Sequence, residues 1–209
     1  MTTPDAGADG RVARAYDDRA QEYVRAAGAL EQMDERDRLV IGRWRDETSG
    51  ALLDAGCGPG HWTAFLGEGN RSVSGIDVST GLLASARERF PHVSFTRASF
   101  RDVPVEECAL GGILAWYSLI HTPPADLPEV LREFARAVAP GGSILIGFFD
   151  GEARAPFAHA VAPAFFWSAE ALAAELSSAG FEVVGRESRD RAPGEISRRA
   201  HGHVIARRS

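Results

Sequence analysis

Two acids and three glycines carry the chemistry most plainly written in this chain. Leu52 to Gly60 reads LLDAGCGPG and Gly75 to Ser79 reads GIDVS, so Asp54 precedes a glycine hairpin and Asp77 ends the next apolar run. Gly56, Gly58 and Gly60 have no side chain in the way and can take φ > 0, which lets a backbone approach a nucleotide-like ligand closely. Asp77 falls about 20 residues beyond the loop, where open α/β sheets place a carboxylate on ribose hydroxyls. A dinucleotide fingerprint would read G-x-G-x-x-G, and in that register His61 takes the place of the third glycine. The sequence that stands here is D-x-G-x-G-x-G.

For these groups to meet, Leu52 and Leu53 must end a buried strand and the segment from His61 to Leu66 must be the helix into which the glycine turn opens. The wider pattern predicts helices over about 10–27 and 30–47, then strand 51–55, helix 60–67, strand 72–77, helix 80–90 and strand 93–97. It continues with strand 111–117, helix 125–138, strand 142–149, helix 168–179 and two closing strands near 181–189 and 200–207. Such alternation implies an α/β fold with a parallel sheet covered by helices on both faces. Pro163 and the stretch 150–167 break the pattern, and the first ten residues read as disordered.

The glycine loop with its two acids resembles that of the class I S-adenosylmethionine-dependent methyltransferases. The resemblance extends upstream to Tyr16-Asp17-Asp18-Arg19-Ala20-Gln21-Glu22-Tyr23, which is similar to the family's YDxxAxxY helix, and downstream to Val138-Ala139-Pro140-Gly141-Gly142, similar to its L-x-P-G-G turn before strand five. It implies one Rossmann-like, doubly wound domain over residues 1–209. The sheet would have seven strands, mostly parallel, with the last strand antiparallel in a C-terminal hairpin. Residues 1–47 would cover the cofactor and 150–167 would form a short lid or substrate roof. It also implies that S-adenosyl-L-methionine is the cofactor. The loop of Gly56, Gly58 and Gly60 would pass under its methionine part, Asp54 would help hold the amino group, Asp77 would grip the ribose, and Tyr16 and Tyr23 would cover it. Val78, Phe100, Trp116 and Ser118 would complete the cofactor wall.

The ends of strands three, four and five should line the site, because ligands of open α/β sheets bind beyond the carboxyl ends of the strands. After strand three, Phe95-Thr96-Arg97-Ala98-Ser99-Phe100 aligns with the family's F-x-x-G-D-A. Ser99 therefore stands where an aspartate often meets the adenine amino group; it either keeps a weaker contact there or is a turn residue. After strand four comes Trp116-Tyr117-Ser118-Leu119-Ile120-His121-Thr122-Pro123-Pro124, which lacks the [DNS]-P-P-[YF] of base and glutamine N-methyltransferases at the strand end. Only Asp150 could serve a catechol-type metal site, so no magnesium is expected. His121 is either a general base, with an unperturbed pKa near neutrality, or a packing and hydrogen-bonding residue. Tyr117 offers a hydroxyl near the transferred methyl or an aromatic face for the cofactor. His159 is a weaker candidate. Phe148, Phe149, Phe157, Phe165, Phe166 and Trp167 could roof a pocket for a planar or greasy acceptor, or belong to the core.

Composition narrows the class. The chain has 209 residues, 44% hydrophobic and 25% charged, ordinary values for a globular protein with a substantial core. Its apolar stretches fall short of the roughly 20 residues that span a bilayer, and MTTPDAGADG is no signal segment. A cytoplasmic location and no membrane partner are expected. Cys57 and Cys108 fit neither a disulfide framework nor metal-ligand spacing. Net charge is −6, with every basic residue an arginine. Phosphate backbones are repelled by such a chain unless it has a concentrated basic face, so no nucleic-acid substrate is expected. The C-terminal arginines, interrupted by Glu187, Asp190 and Glu195, read as a solvated strand face. The reading is a methyltransferase for a small-molecule acceptor, either a monomer or a homodimer, in secondary-metabolite tailoring. The alternative is an enzyme of the same fold that uses the cofactor for cyclisation, lyase or pericyclic chemistry.

Overall fold

The computed structural model describes residues 7–191 and 199–209. Its sheet is built from strands β1 (Leu52–Ala55), β2 (Val73–Asp77), β3 (Ser94–Arg97), β4 (Leu110–Trp116), β5 (Val138–Phe149), β8 (Phe181–Arg189) and β9 (His201–Arg208) in the order β3-β2-β1-β4-β5-β9-β8. β9 pairs antiparallel with both β5 and β8, and the remaining ladders are parallel. This is the doubly wound, seven-stranded sheet with a C-terminal hairpin that the resemblance implied. No helix among the described residues is long and apolar enough to cross a membrane.

Alternation along the central strands explains why both faces are covered. Leu52, Leu114 and Leu145 turn to one side, where Ile41 and Trp44 of α3 (Glu35–Glu47) and Trp62 and Leu66 of α4 (His61–Leu66) bury them. Leu53, Ile113, Ile144 and Val204 turn to the other, against α6 (Leu127–Ala137) and α7 (Ala169–Ser178). In α6 the buried residues Leu127, Val130, Leu131 and Phe134 follow the i, i+3, i+4, i+7 spacing of one helical face. α5 (Thr80–Arg89) packs Leu83 and Ala86 on Phe95 and Cys57, backing the glycine loop from outside.

Several expected boundaries move. The helix expected over 10–27 is two, α1 (Ala8–Asp17) and α2 (Ala20–Ala27), separated where Arg19 N–H reaches Tyr16 with a tighter three-residue bond. Ala8 to Gly10 are helical rather than disordered; residues 1–6 lie outside the described residues. The helix expected from 30 begins at 35, because the Asp34 carboxylate accepts the Arg36 N–H at 2.8 Å and caps it there. β5 starts at Val138 rather than 142: its register against β4 shifts between Leu110 and Gly112, so the Pro140-Gly141-Gly142 turn is a bulge inside the ladder, with Gly141 at φ 77°. Within 150–167, β6 (Pro156–Phe157) and β7 (Ala164–Phe165) form a small hairpin that the sequence pattern did not reveal.

Candidate functional site

β1 sits between β2 and β4, so the order of the sheet reverses there and leaves a crevice at the strand ends. The glycine loop crosses it. Gly56 has φ 80°, and a Cβ on it would meet the Ser118 Cβ at 2.3 Å, so no other residue fits without moving β4's end. Gly58 has φ 52°, and a Cβ there would point toward Tyr23 and Leu82. Asp77 ties this loop to β2: its Oδ2 accepts the Gly58 N–H at 2.9 Å and its Oδ1 the Ser79 N–H at 2.8 Å. Burial pushes the Asp77 carboxyl up while those amides pull it back.

A cavity of about 80 Å³ opens over the loop. Gly56, Gly58, Asp77 and Val78 form one side of it, and Trp116, Tyr117, Ser118 and His121 another. Asp9, Val12 and Tyr16 of α1 and Tyr23 of α2 form a third, with Leu82 and Phe100 between. Asp9, Val12, Leu82 and Thr122 were not singled out in the sequence, although positions 9, 12 and 16 share one helical face by their spacing.

Three residues named from the sequence stand elsewhere. Asp54 is fully buried behind the loop, where the Thr63 hydroxyl donates to its Oδ2 at 2.6 Å and desolvation, with Asp77 nearby, lifts its pKa to about 7. Gly60, at φ 84°, starts α4, and a Cβ on it would meet Phe95 at 2.8 Å, so its lack of a side chain serves helix packing. Ser99 is turned to α1, donating to Asp9 Oδ2 at 2.5 Å. His61, next to Gly60, is buried with no partner on either ring nitrogen among the described residues, and desolvation, aided by the Arg89 charge, takes its pKa to about 4.

The end of β4 gathers aromatic and imidazole groups. Tyr117 takes a left-handed backbone, φ 52°, costly for a non-glycine residue and often found where a side chain is aimed at a ligand. Its ring stacks on Phe149 at 4.9 Å, and its hydroxyl lies 2.6 Å from Nδ1 of His201, which β9 places opposite Phe149. Trp116 turns its indole N–H to Asp37 of α3 at 3.3 Å, and Ser118 donates to the Ala55 carbonyl at 2.7 Å. His121 lies in a single 3-10 turn, with Nδ1 2.9 Å from the Pro163 carbonyl and Nε2 2.9 Å from the Tyr16 hydroxyl. A carbonyl only accepts, so Nδ1 carries the proton, Nε2 the lone pair, and Tyr16 donates. Burial holds the His121 pKa below its ordinary value, against the pull of Pro163, and keeps the Tyr16 hydroxyl protonated. His159 packs on His121 at 5.0 Å, with its pKa driven by desolvation to about 4, and Phe157 packs on Phe149 at 5.7 Å.

A family model described as a methyltransferase domain matches residues 52–142. The malonyl-acyl-carrier-protein O-methyltransferase of Serratia marcescens is 31% identical over 134 residues, which cover 64% of this chain and 51% of that protein. The chain spans about half the length of the curated relatives it matches. Among solved structures, the 4+2 cyclase SpnF superposes with a TM-score of 0.81 at 19% identity, over 94% of this chain and 95% of that one. The Burkholderia thailandensis 1,6-didemethyltoxoflavin N1-methyltransferase, solved with 1,6-didemethyltoxoflavin and S-adenosylhomocysteine, superposes at 0.75 and 19% identity, over 100% of this chain and 93% of that one. Both superpositions speak for the fold. Residues 52–142 thus match a methyltransferase domain, and the glycine loop between β1 and α4 and the strand order give the chain the Rossmann-like fold of the S-adenosylmethionine-dependent methyltransferases.

Proposed function

We propose that this chain binds S-adenosylmethionine over the glycine loop and transfers its methyl group to a small-molecule acceptor held at the end of β4. One observation carries the reading: a single cavity has the glycine loop and buried Asp77 on one side and Tyr117 and His121 on the other. The groups present suit this cofactor. Each Asp77 oxygen has accepted one backbone amide and keeps a lone pair for a hydroxyl, and two buried carboxylates, Asp77 and Asp54, favour a cationic occupant. Asp54 would act through the field behind the loop.

Bound there, the cofactor supplies an electrophilic methyl on a good leaving group. The chain then has to position, exclude water and, for a protonated acceptor, take a proton. His121 is arranged to take it, because the Nδ1–H stays on Pro163 while Nε2 faces Tyr16 and the cavity. An acceptor that displaces the Tyr16 hydroxyl would give its proton to Nε2, and the imidazolium would still be held by the Pro163 carbonyl. Phe100, Trp116 and Tyr117 on the cavity wall favour a planar or apolar acceptor. Small-molecule tailoring accords with the activities named for the two solved neighbours, one a 1,6-didemethyltoxoflavin N1-methyltransferase and one a 4+2 cyclase.

Product analysis tests this reading. Incubation of the purified protein with S-adenosylmethionine and a panel of planar acceptors should yield S-adenosylhomocysteine and an acceptor heavier by one methylene unit. Methylthioadenosine would mean that the aminocarboxypropyl arm is used, and a converted acceptor with unchanged cofactor would mean that the cofactor is only held. Either result replaces methyl transfer by the alternative chemistry.

A further inference from the structure

Helix α1 brings a carboxylate to the cavity. Asp9 lines the wall together with Val12 and Tyr16, one helical turn and two turns further on. Its Oδ2 receives the Ser99 hydroxyl at 2.5 Å, and the Ser99 oxygen in turn accepts the Arg101 N–H at 3.1 Å, which fixes the direction of that hydroxyl. No described residue bonds Asp9 Oδ1. The far end of α1 is pinned as well: Asp17 accepts from Ser79 Oγ at 2.6 Å, Gly81 N at 2.8 Å and Thr80 Oγ1 at 3.0 Å on α5. Asp9 is thus held at a set position.

Asp9 and Asp77 are the two carboxylates on the cavity wall, and they differ in what they can still do. Each Asp77 oxygen already accepts one amide, of the loop or of the turn after β2, and has only its second lone pair left for a hydroxyl. Asp9 has an oxygen to offer, and the neighbouring wall of Val12, Val78, Leu82 and Phe100 is apolar. An apolar wall that carries one carboxylate suits a heteroaromatic ring with an exocyclic amino donor. We infer that Asp9 reads the adenine amino group of the cofactor, with Ser99 as its positioning residue. The inference rests on the cofactor reading above and deepens it. Ser99 does not line the cavity, so the base is recognised from the covering helix rather than from the end of β3, and docking of α1 and recognition of adenine become one event.

The test compares S-adenosylhomocysteine with S-inosylhomocysteine, in which a carbonyl oxygen replaces the amino group, by calorimetry on the purified protein. The native chain should prefer the adenosyl ligand by roughly tenfold or more, since a charged acceptor meets a donor in one case and a lone pair in the other. Asp9→Ala should lose that preference, mainly by weakening the adenosyl ligand. Asp9→Asn, whose amide can turn its N–H to the carbonyl, should bring the ratio to one or invert it. Equal weakening of both ligands in the two variants, with the preference kept, would mean that Asp9 only fastens α1 and would overturn the inference. Failure of the native chain to bind either ligand would instead overturn the cofactor reading, and this inference with it.

Discussion

The two sides of the cavity are made of different material. At the loop, contacts run through the backbone of near neighbours: Asp77 meets amides of Gly58 and Ser79, and Gly56 and Gly58 adopt conformations that few other residues reach. At the end of β4, contacts run between side chains brought from far along the chain. His121 meets Tyr16 from 105 residues away, and Tyr117 meets His201 from 84. Backbone-built sites hold a constant ligand, whereas side-chain constellations can be exchanged one residue at a time. The loop side is therefore suited to the cofactor and the β4 side to an acceptor that varies between enzymes of this fold.

The sharpest way to break this division is at His121. His121→Ala should lower kcat by roughly 10²–10⁴ if Nε2 takes the acceptor's proton, and leave cofactor affinity nearly intact. The pH–rate profile adds a sign. A base must be unprotonated, so kcat should fall as pH drops through the His121 pKa, which burial holds below its usual value, and that acidic limb should vanish in the variant. A variant that keeps both rate and limb would leave the chemistry to positioning alone.

On the loop side, Asp77→Ala should weaken binding of S-adenosylhomocysteine by about 1.5–3 kcal/mol, measured by calorimetry, because a charged acceptor for hydroxyl donors is lost and the Gly58 amide loses its anchor. Its effect on acceptor KM should be small. Equal effects on both ligands would erase the contrast between the two sides.

His61 sharpens the comparison through stability. The unfolded imidazole protonates near its ordinary value and the folded one only near 4, so the unfolded chain binds more protons between those values and stability falls as pH drops through that window. The loss at pH 5 is about 2 kcal/mol from this group. His61→Phe, which removes the group, should therefore gain stability over the native chain as pH falls from 7 to 5, as read from urea midpoints. A constant difference across that range would place no buried neutral imidazole there. The smallest effect is expected from Tyr117→Phe, where loss of one hydroxyl contact to His201 should lower kcat/KM about fivefold, on the order of 1 kcal/mol.

The halves also differ in how far they could be read in advance. Gly56, Gly58 and Asp77 were legible because each depends on local conformation at fixed spacing, and the α/β alternation was legible because apolar residues on β1, β4 and β5 answer helices on both faces. Gly60 and Asp54 share the motif but stand behind the loop, since spacing gives a segment and not the direction of a side chain. The split between α1 and α2 was hidden because their residues are helical on both sides of Arg19.

The amino-acid sequence by itself determined the strand-loop-helix unit, the order of elements and the place of Asp77 at the end of β2, because these follow from backbone preference and from hydrophobic periodicity over a few residues. Only the tertiary structure decided that Ser99 bonds Asp9, that Pro163 sets the proton on His121, and that His201 stands over Tyr117. Those contacts join residues 90, 42 and 84 positions apart, and no local rule relates them. They form because closing the sheet brings α1, the β6–β7 hairpin and β9 to the same end of β4, where buried polar groups must find partners.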